Sequence, residues 1–129
     1  MAATLFVVDD EPEIVKLVTK IFQARGLTVL ACADGQQALD AIPRAMPDIV
    51  LLDIDLPKVD GWDVCKQLKS DERTRAIPIV MMTAAHVTVG GAENGLGLGA
   101  DEYIQKPFLR EVLVHNIERL LTDRGITIS

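Results

Sequence analysis

The sequence predicts an α/β domain built on a doubly wound, five-stranded parallel sheet, and three observations carry that prediction. Two short runs, Ile49–Leu52 and Ile77–Met82, are apolar, as strands covered on both faces are. Other stretches repeat their apolar residues at three and four, which places one stripe of a helix against a core. The two patterns alternate along the chain, as the helical crossovers between parallel strands require.

Thr4 to Val8 reads as the first strand, stopping at Asp9-Asp10-Glu11-Pro12-Glu13. Pro12 suits a first helical turn, and the acids around it favour the positive end of the helix dipole. The helix carries Ile14, Leu17, Val18, Ile21 and Phe22 inward to about Arg25, where Gly26 stops it. Leu27 to Ala31 is the second strand. Asp34-Gly35 then forms a turn or N-cap ahead of a helix with Ala38, Leu39 and Ile42 inside, limited by Pro43 and Pro47.

The third strand, Ile49–Leu52, ends at Asp53. Pro57 and Gly61 mark an unusual loop after it, so Asp53 is not tucked into a continuing helix. A helix from about Trp62 to Ser70 and a polar turn, Asp71 to Arg75, lead to the fourth strand, Ile77–Met82, which ends at Thr83-Ala84-Ala85. The stretch from Val87 to Gly99 holds five glycines, each costing a helix about 1 kcal/mol relative to alanine, so a short or mobile helix is the best expectation there. Asp101 to Ile104 is the fifth strand and Lys106-Pro107 a turn. Arg110 to about Arg124 is the last helix, and Gly125 to Ser129 is expected to fray.

Right-handed crossovers leave few strand orders. The order 2-1-3-4-5, that of flavodoxin-like sheets, sets the two strands that end in aspartates side by side. Residues 1–129 are expected to form a single domain, with no linker or repeat. Nineteen acidic against thirteen basic residues, a net charge of −6, argue against direct binding of a nucleic-acid backbone. No apolar run approaches about 18 residues and the N-terminus lacks a basic flank, so no membrane insertion and a cytoplasmic location are expected. Cys32 and Cys65 lack metal-thiolate spacing and read as reduced thiols. His86 and His115 have neither a triad partner nor metal spacing.

With strands one and three adjacent, Asp9, Asp10 and Asp53 converge at one sheet edge. Carboxylates about 4 Å apart repel by about 4 kcal/mol per pair at an effective dielectric near 20, so the cluster needs compensation. It could protonate, recruit a lysine, or bind a divalent cation, and an all-oxygen site with room for water and phosphate suits Mg²⁺. Asp9 and Asp10 could instead simply cap the first helix, although two adjacent acids exceed what one cap needs. The Thr83 hydroxyl and the Lys106 ammonium reach the same edge and suit a phosphoryl group. Singly, each has a plainer role, as a strand-end cap and as a solvated lysine.

Asp9-Asp10, Asp53 with Pro57 and Asp60-Gly61 beyond it, Thr83-Ala84, Tyr103 and Lys106-Pro107-Phe108 together resemble the receiver domain of bacterial two-component response regulators. The resemblance covers nearly the whole chain. It implies that Asp53 takes a phosphoryl group from a phosphohistidine on a sensor histidine kinase or phosphotransfer protein. It also implies that Asp10 and Asp53, with the main-chain carbonyl of Asp55, hold Mg²⁺ while Asp9 assists through water. Thr83 and Lys106 would contact phosphoryl oxygens, and the Lys106–Pro107 bond would be cis. Thr83 and Tyr103 would act as the switch that reshapes the face of helix four, strand five and helix five for a downstream protein. The chain would be no enzyme beyond transfer to, and hydrolysis from, its own Asp53. The small Ala84 would leave the phosphoryl group open to water, and Asp55 would bear on its lifetime. With no output domain in view, output would pass through another protein.

The glycine-rich run from Gly90 to Gly99 departs from the family's well-formed fourth helix and suggests a segment that orders on activation or partner binding. Gly95-Leu96-Gly97-Leu98-Gly99 lacks the spacing of a nucleotide loop. Two other readings compete. Asp53-Ile54-Asp55 resembles the acid pair of haloacid-dehalogenase phosphohydrolases, but Pro57 stands where that motif has Thr or Val. A receiver fold that docks without phosphorylation is the stronger rival, although such modules normally lose an acid, the threonine or the lysine, and all are present here.

Overall fold

The computed structural model describes residues 3–84 and 100–126. The sequence expectation for Val87 to Gly99, and for His86, lies outside them. Five strands, β1 (Thr4–Val8), β2 (Thr28–Cys32), β3 (Ile49–Asp53), β4 (Ile79–Ala84) and β5 (Glu102–Lys106), pair in parallel in the order β2-β1-β3-β4-β5. Four helices accompany them among the described residues: α1 (Pro12–Gln23), α2 (Gly35–Ala45), α3 (Gly61–Ser70) and α4 (Arg110–Asp123). The sheet is doubly wound in the expected order.

Why β3 reads as a solid apolar run is now physical. Ile49 and Leu51 point to one face, with Val18, Phe22, Leu113 and Ile117 of α1 and α4. Val50 and Leu52 point to the other, with Ala38, Ile42, Val64 and Leu68 of α2 and α3. All five residues of β3 are buried, so neither face admits a polar side chain until Asp53. At the sheet edge β2 is mostly exposed and carries Leu30 partly in solvent.

Several boundaries differ from the sequence expectation for local reasons. β2 starts at Thr28 because the Leu27 N–H donates to the Phe22 carbonyl at 3.0 Å, across Gly26 at φ +87°, and so belongs to the end of α1. Pro43 does not end α2 but lies inside its last turns, and the helix stops at Met46, left-handed at φ +46°. β4 begins at Ile79, since Ile77 closes the preceding turn by donating to Thr74 and Pro78 has no N–H to give a ladder. Thr83 consequently lies within β4, and Lys106 is the last residue of β5, not part of a turn. Gly125 and Ile126 do not fray. Gly125 is left-handed at φ +81°, Ile126 N–H donates to Leu121 at 2.9 Å, and the Ile126 side chain packs on the core.

Candidate functional site

Parallel strands bring all their carboxyl ends to one edge, and the register decides which residues meet there. Val8 pairs with Leu52, so Asp9 stands level with Asp53 one step on. Asp53 pairs with Met82, which puts Thr83 just beyond, and Ala84 pairs with Lys106. Three elements thus deliver Asp9, Asp53 and Lys106 to one point, though they lie far apart in the chain.

Lys106 Nζ is the hub. It donates to Asp9 Oδ2 at 2.8 Å, to Glu11 Oε1 at 3.0 Å and to Asp53 Oδ2 at 3.1 Å. Asp9 is buried and also accepts from the Glu11 N–H at 2.9 Å, which sets the chain entering α1. Asp53 Oδ1 accepts from the Asp55 N–H at 3.1 Å. Both oxygens of the Asp53 carboxylate are therefore held, one by a cation and one by its own loop.

The charges of the site do not balance. Four carboxylates, those of Asp9, Asp10, Glu11 and Asp53, share the neighbourhood of one ammonium. Burial pushes the Asp53 carboxyl up to about 6, and the charge of Asp9 adds to the effect; Lys106 and the Asp55 N–H oppose it. Burial works against the Lys106 ammonium, but its bonds to Asp9 and Glu11 and the charge of Asp53 outweigh that and hold it above the ordinary lysine range. The lysine stays charged.

One carboxylate oxygen each from Asp9, Asp10 and Asp53 lies within 4.8 Å of the other two. This donor set is all oxygen, Asp10 is exposed, and one ammonium serves all the acids of the cluster, all of which fit a hard divalent cation that keeps several waters. Beside the acids a shallow cleft of about 410 Å³, lined by Pro12, Val15, Lys16 and Cys32 among others, gives access from solvent.

Of the other residues singled out from sequence, Thr83 is buried at this edge. Asp55 has an exposed side chain and meets Asp53 through its backbone. The Lys106–Pro107 peptide bond is cis. Tyr103 is not brought to the acids. It stands opposite Met81, two residues short of the Gln105 that faces Thr83, and its ring lies 6.3 Å from that of Trp62 at 48°. Its hydroxyl is buried without a hydrogen bond among the described residues, and burial, followed by the neighbouring Cys65, pushes it up to about 12.

Glu11 was missed by sequence reasoning, which treated it only as a helix-dipole acid. Its position at the α1 N-cap with no capping bond of its own leaves the carboxylate free to reach Lys106. Its place next to Asp9-Asp10 was the available signal.

A doubly wound sheet with a buried carboxylate held by a lysine at its carboxyl edge, beside further acids, is a flavodoxin-like domain with its ligand crevice at the ends of β1, β3 and β5. The chain belongs to the response regulator receiver domain family, whose model matches residues 5–118. Among curated proteins it is 40% identical over 121 residues to the DNA-binding response regulator MtrA of Mycolicibacterium smegmatis, covering 94% of this chain and 51% of MtrA. The chain thus spans about half the length of the curated relatives it matches. Among solved structures, the chemotaxis response regulator CheY4 of Vibrio cholerae superposes with a TM-score of 0.87 at 27% identity, covering 94% of this chain and 100% of CheY4. The receiver domain of a sensor histidine kinase from Pseudomonas aeruginosa, solved with a magnesium ion coordinated in its active-site cleft, gives a TM-score of 0.85 at 30% identity and covers 95% of this chain and 99% of that one. Membership places the chain in phosphorelay signal transduction. No helix among the described residues is long and apolar enough to cross a membrane.

Proposed function

We propose that this domain accepts a phosphoryl group on Asp53 from a phosphohistidine of a sensor histidine kinase or phosphotransfer protein. The observation that carries the proposal is the pinned Asp53 carboxylate, buried and held by Lys106 on one oxygen and the Asp55 N–H on the other. An Asp53 oxygen attacks phosphorus, a P–O bond forms, and the P–N bond breaks. The departing imidazole keeps the electron pair and the Asp53 carboxylate becomes an acyl phosphate. Water attacking phosphorus later returns the carboxylate and releases inorganic phosphate.

Most of the help this chain gives is positioning and charge, as phosphoryl transfer requires. Lys106 faces the added oxygens with an ammonium that stays protonated. Thr83 supplies a hydroxyl from the next strand. Asp10, Asp53 and the Asp55 carbonyl would hold Mg²⁺, with Asp9 acting through water; the bound ion supplies neutralisation of the phosphoryl oxygens. The magnesium in the related Pseudomonas receiver supports this assignment. No separate substrate is turned over.

Thr83 and Tyr103 form the switch in this proposal, reshaping the face of the family's fourth helix, β5 and α4 for a downstream protein in the cytoplasm. The net charge of −6 supports a protein partner for this domain over nucleic acid. Intact-protein mass after incubation with a small-molecule phosphodonor, with and without Mg²⁺, tests the proposal. One Mg²⁺-dependent phosphoryl adduct, absent from Asp53→Asn, is expected. No adduct on the wild-type chain under any condition refutes it.

A further inference from the structure

The loop that follows the acceptor has a built support. Residues 54–61 form a closed ring: the Gly61 N–H donates to the Ile54 carbonyl at 2.8 Å, and a Cβ on Gly61 would stand 2.3 Å from the Asp53 carbonyl oxygen. The neck of the loop is pressed onto the backbone of the acceptor itself. At the tip, Lys58 is left-handed at φ +70° and the Val59 N–H donates to the Pro57 carbonyl at 2.9 Å. Together these make a γ-turn of the rarer, strained hand. A conformation of that kind persists only where its surroundings over-determine it.

Those surroundings are the start of α2. The Gly35 N–H, a first-turn donor with no partner inside its helix, donates to the same Pro57 carbonyl at 3.4 Å. A Cβ on Gly35 would lie 1.8 Å from the Val59 carbonyl oxygen and 2.7 Å from its carbon, so loop backbone rests directly on the helix. Asp34, buried, caps α2 by accepting from the Gln37 N–H at 2.8 Å and turns its other oxygen toward Lys58 Nζ at 3.7 Å.

We infer that Gly35 and Asp34 are positioning residues for the acceptor loop, forming a seat that holds Pro57–Val59 and thereby orients the Asp53 carboxylate. The link is continuous. The seat fixes the tip, the closed neck carries that constraint to Ile54 and Asp55, and the Asp55 N–H holds Asp53 Oδ1 at 3.1 Å. The functional consequence rests on the phosphoacceptor role proposed above, whereas the seat itself does not.

The test is hydrogen exchange on the full chain, wild type against Gly35→Ala and Asp34→Ala, with Mg²⁺ titrated separately through Trp62 fluorescence. Exchange at the Val59 and Gly61 amides is expected to rise about tenfold or more, with the central-strand amides of Val7 and Leu51 unchanged. The half-saturating Mg²⁺ concentration is expected to rise by the factor by which the seated fraction of the loop falls. Should Gly35→Ala not fold, Asp34→Ala decides, because it adds no atom to the contact. A structural role confined to α2 would speed exchange at Gln37 alone. Loop amides at wild-type rates in a folded variant overturn the inference, and so does a loop open in most molecules, its amides exchanging without protection, that binds Mg²⁺ as the wild type does. Exchange is read without phosphodonor, so a chain that forms no acyl phosphate still tests the seat, and the mass measurement tests the acceptor separately.

Discussion

Replacing Asp53 with Asn should make the protein more stable at neutral pH while abolishing phosphoryl acceptance. The Asp53 residue is 4% exposed, and its carboxyl is raised from 3.8 to about 6, chiefly by burial and then by Asp9. In the unfolded chain it titrates at its ordinary value. The folded chain therefore binds this proton more tightly, and stability falls as pH rises from about 4 to about 6. Below that window both states are protonated and the penalty vanishes; above it the penalty is complete. At 1.36 kcal/mol for each tenfold change in proton affinity, the ionised carboxylate costs folding about 3 kcal/mol.

An amide of the same shape removes that cost and still accepts from Lys106, so a gain of about 2 kcal/mol is expected at pH 7.5. Urea denaturation of both proteins at pH 7.5 and pH 4 measures it, and the gain should disappear at the lower pH. Saturating Mg²⁺ at about 100 times its Kd should stabilise the wild type by about 2.7 kcal/mol and the variant by less, narrowing the gap. A variant no more stable than wild type at pH 7.5, or a gain that persists unchanged at pH 4, would refute the electrostatic account.

Lys106→Met leaves Asp9 and Asp53 buried without their cation and should cost about 3–5 kcal/mol in urea at pH 7.5, less at pH 5 as Asp53 takes a proton. Leu51→Ala empties a fully buried site in β3 and should cost about 2–5 kcal/mol, yet the phosphoryl adduct per folded molecule in intact-mass measurements should match wild type. Tyr103→Phe removes a buried hydroxyl with no partner among the described residues, so its thermal midpoint should hold or rise, by up to about 1 kcal/mol in stability terms.

The fold was legible because its strongest signal is also its strongest constraint. A strand such as Ile49–Leu52 must be apolar throughout when α1 and α4 cover one face and α2 and α3 the other, so burial wrote itself into consecutive residues. The convergence of Asp9 and Asp53 was legible for a related reason: parallel strands align their ends, and an acid directly after an apolar run can only sit at that edge. What depended on backbone geometry was not legible. Nothing in the letters shows that the Pro57 carbonyl serves both Val59 and Gly35, or that Leu27 belongs to the cap of α1. Glu11 escaped because its partner is 95 residues away and its helical role already explained it.

The site is built from interactions that conflict. Asp9 and Asp53 repel each other, and Lys106 answers both while also holding Glu11. These partners are not equivalent. Asp9 has no exposed side-chain surface and cannot exchange the ammonium for water, whereas the Glu11 side chain is 56% exposed and can. If Asp53 takes a phosphoryl group as proposed, the Lys106–Glu11 contact is the one that can yield at small cost, since an exposed pair is worth about 1 kcal/mol or less. Lys106 can then turn toward the phosphoryl oxygens without leaving Asp9 unpaired. The third, weakly held carboxylate thus gives the lysine a resting partner that it can release, and the buried pair beneath it keeps the ammonium at the mouth of the site throughout.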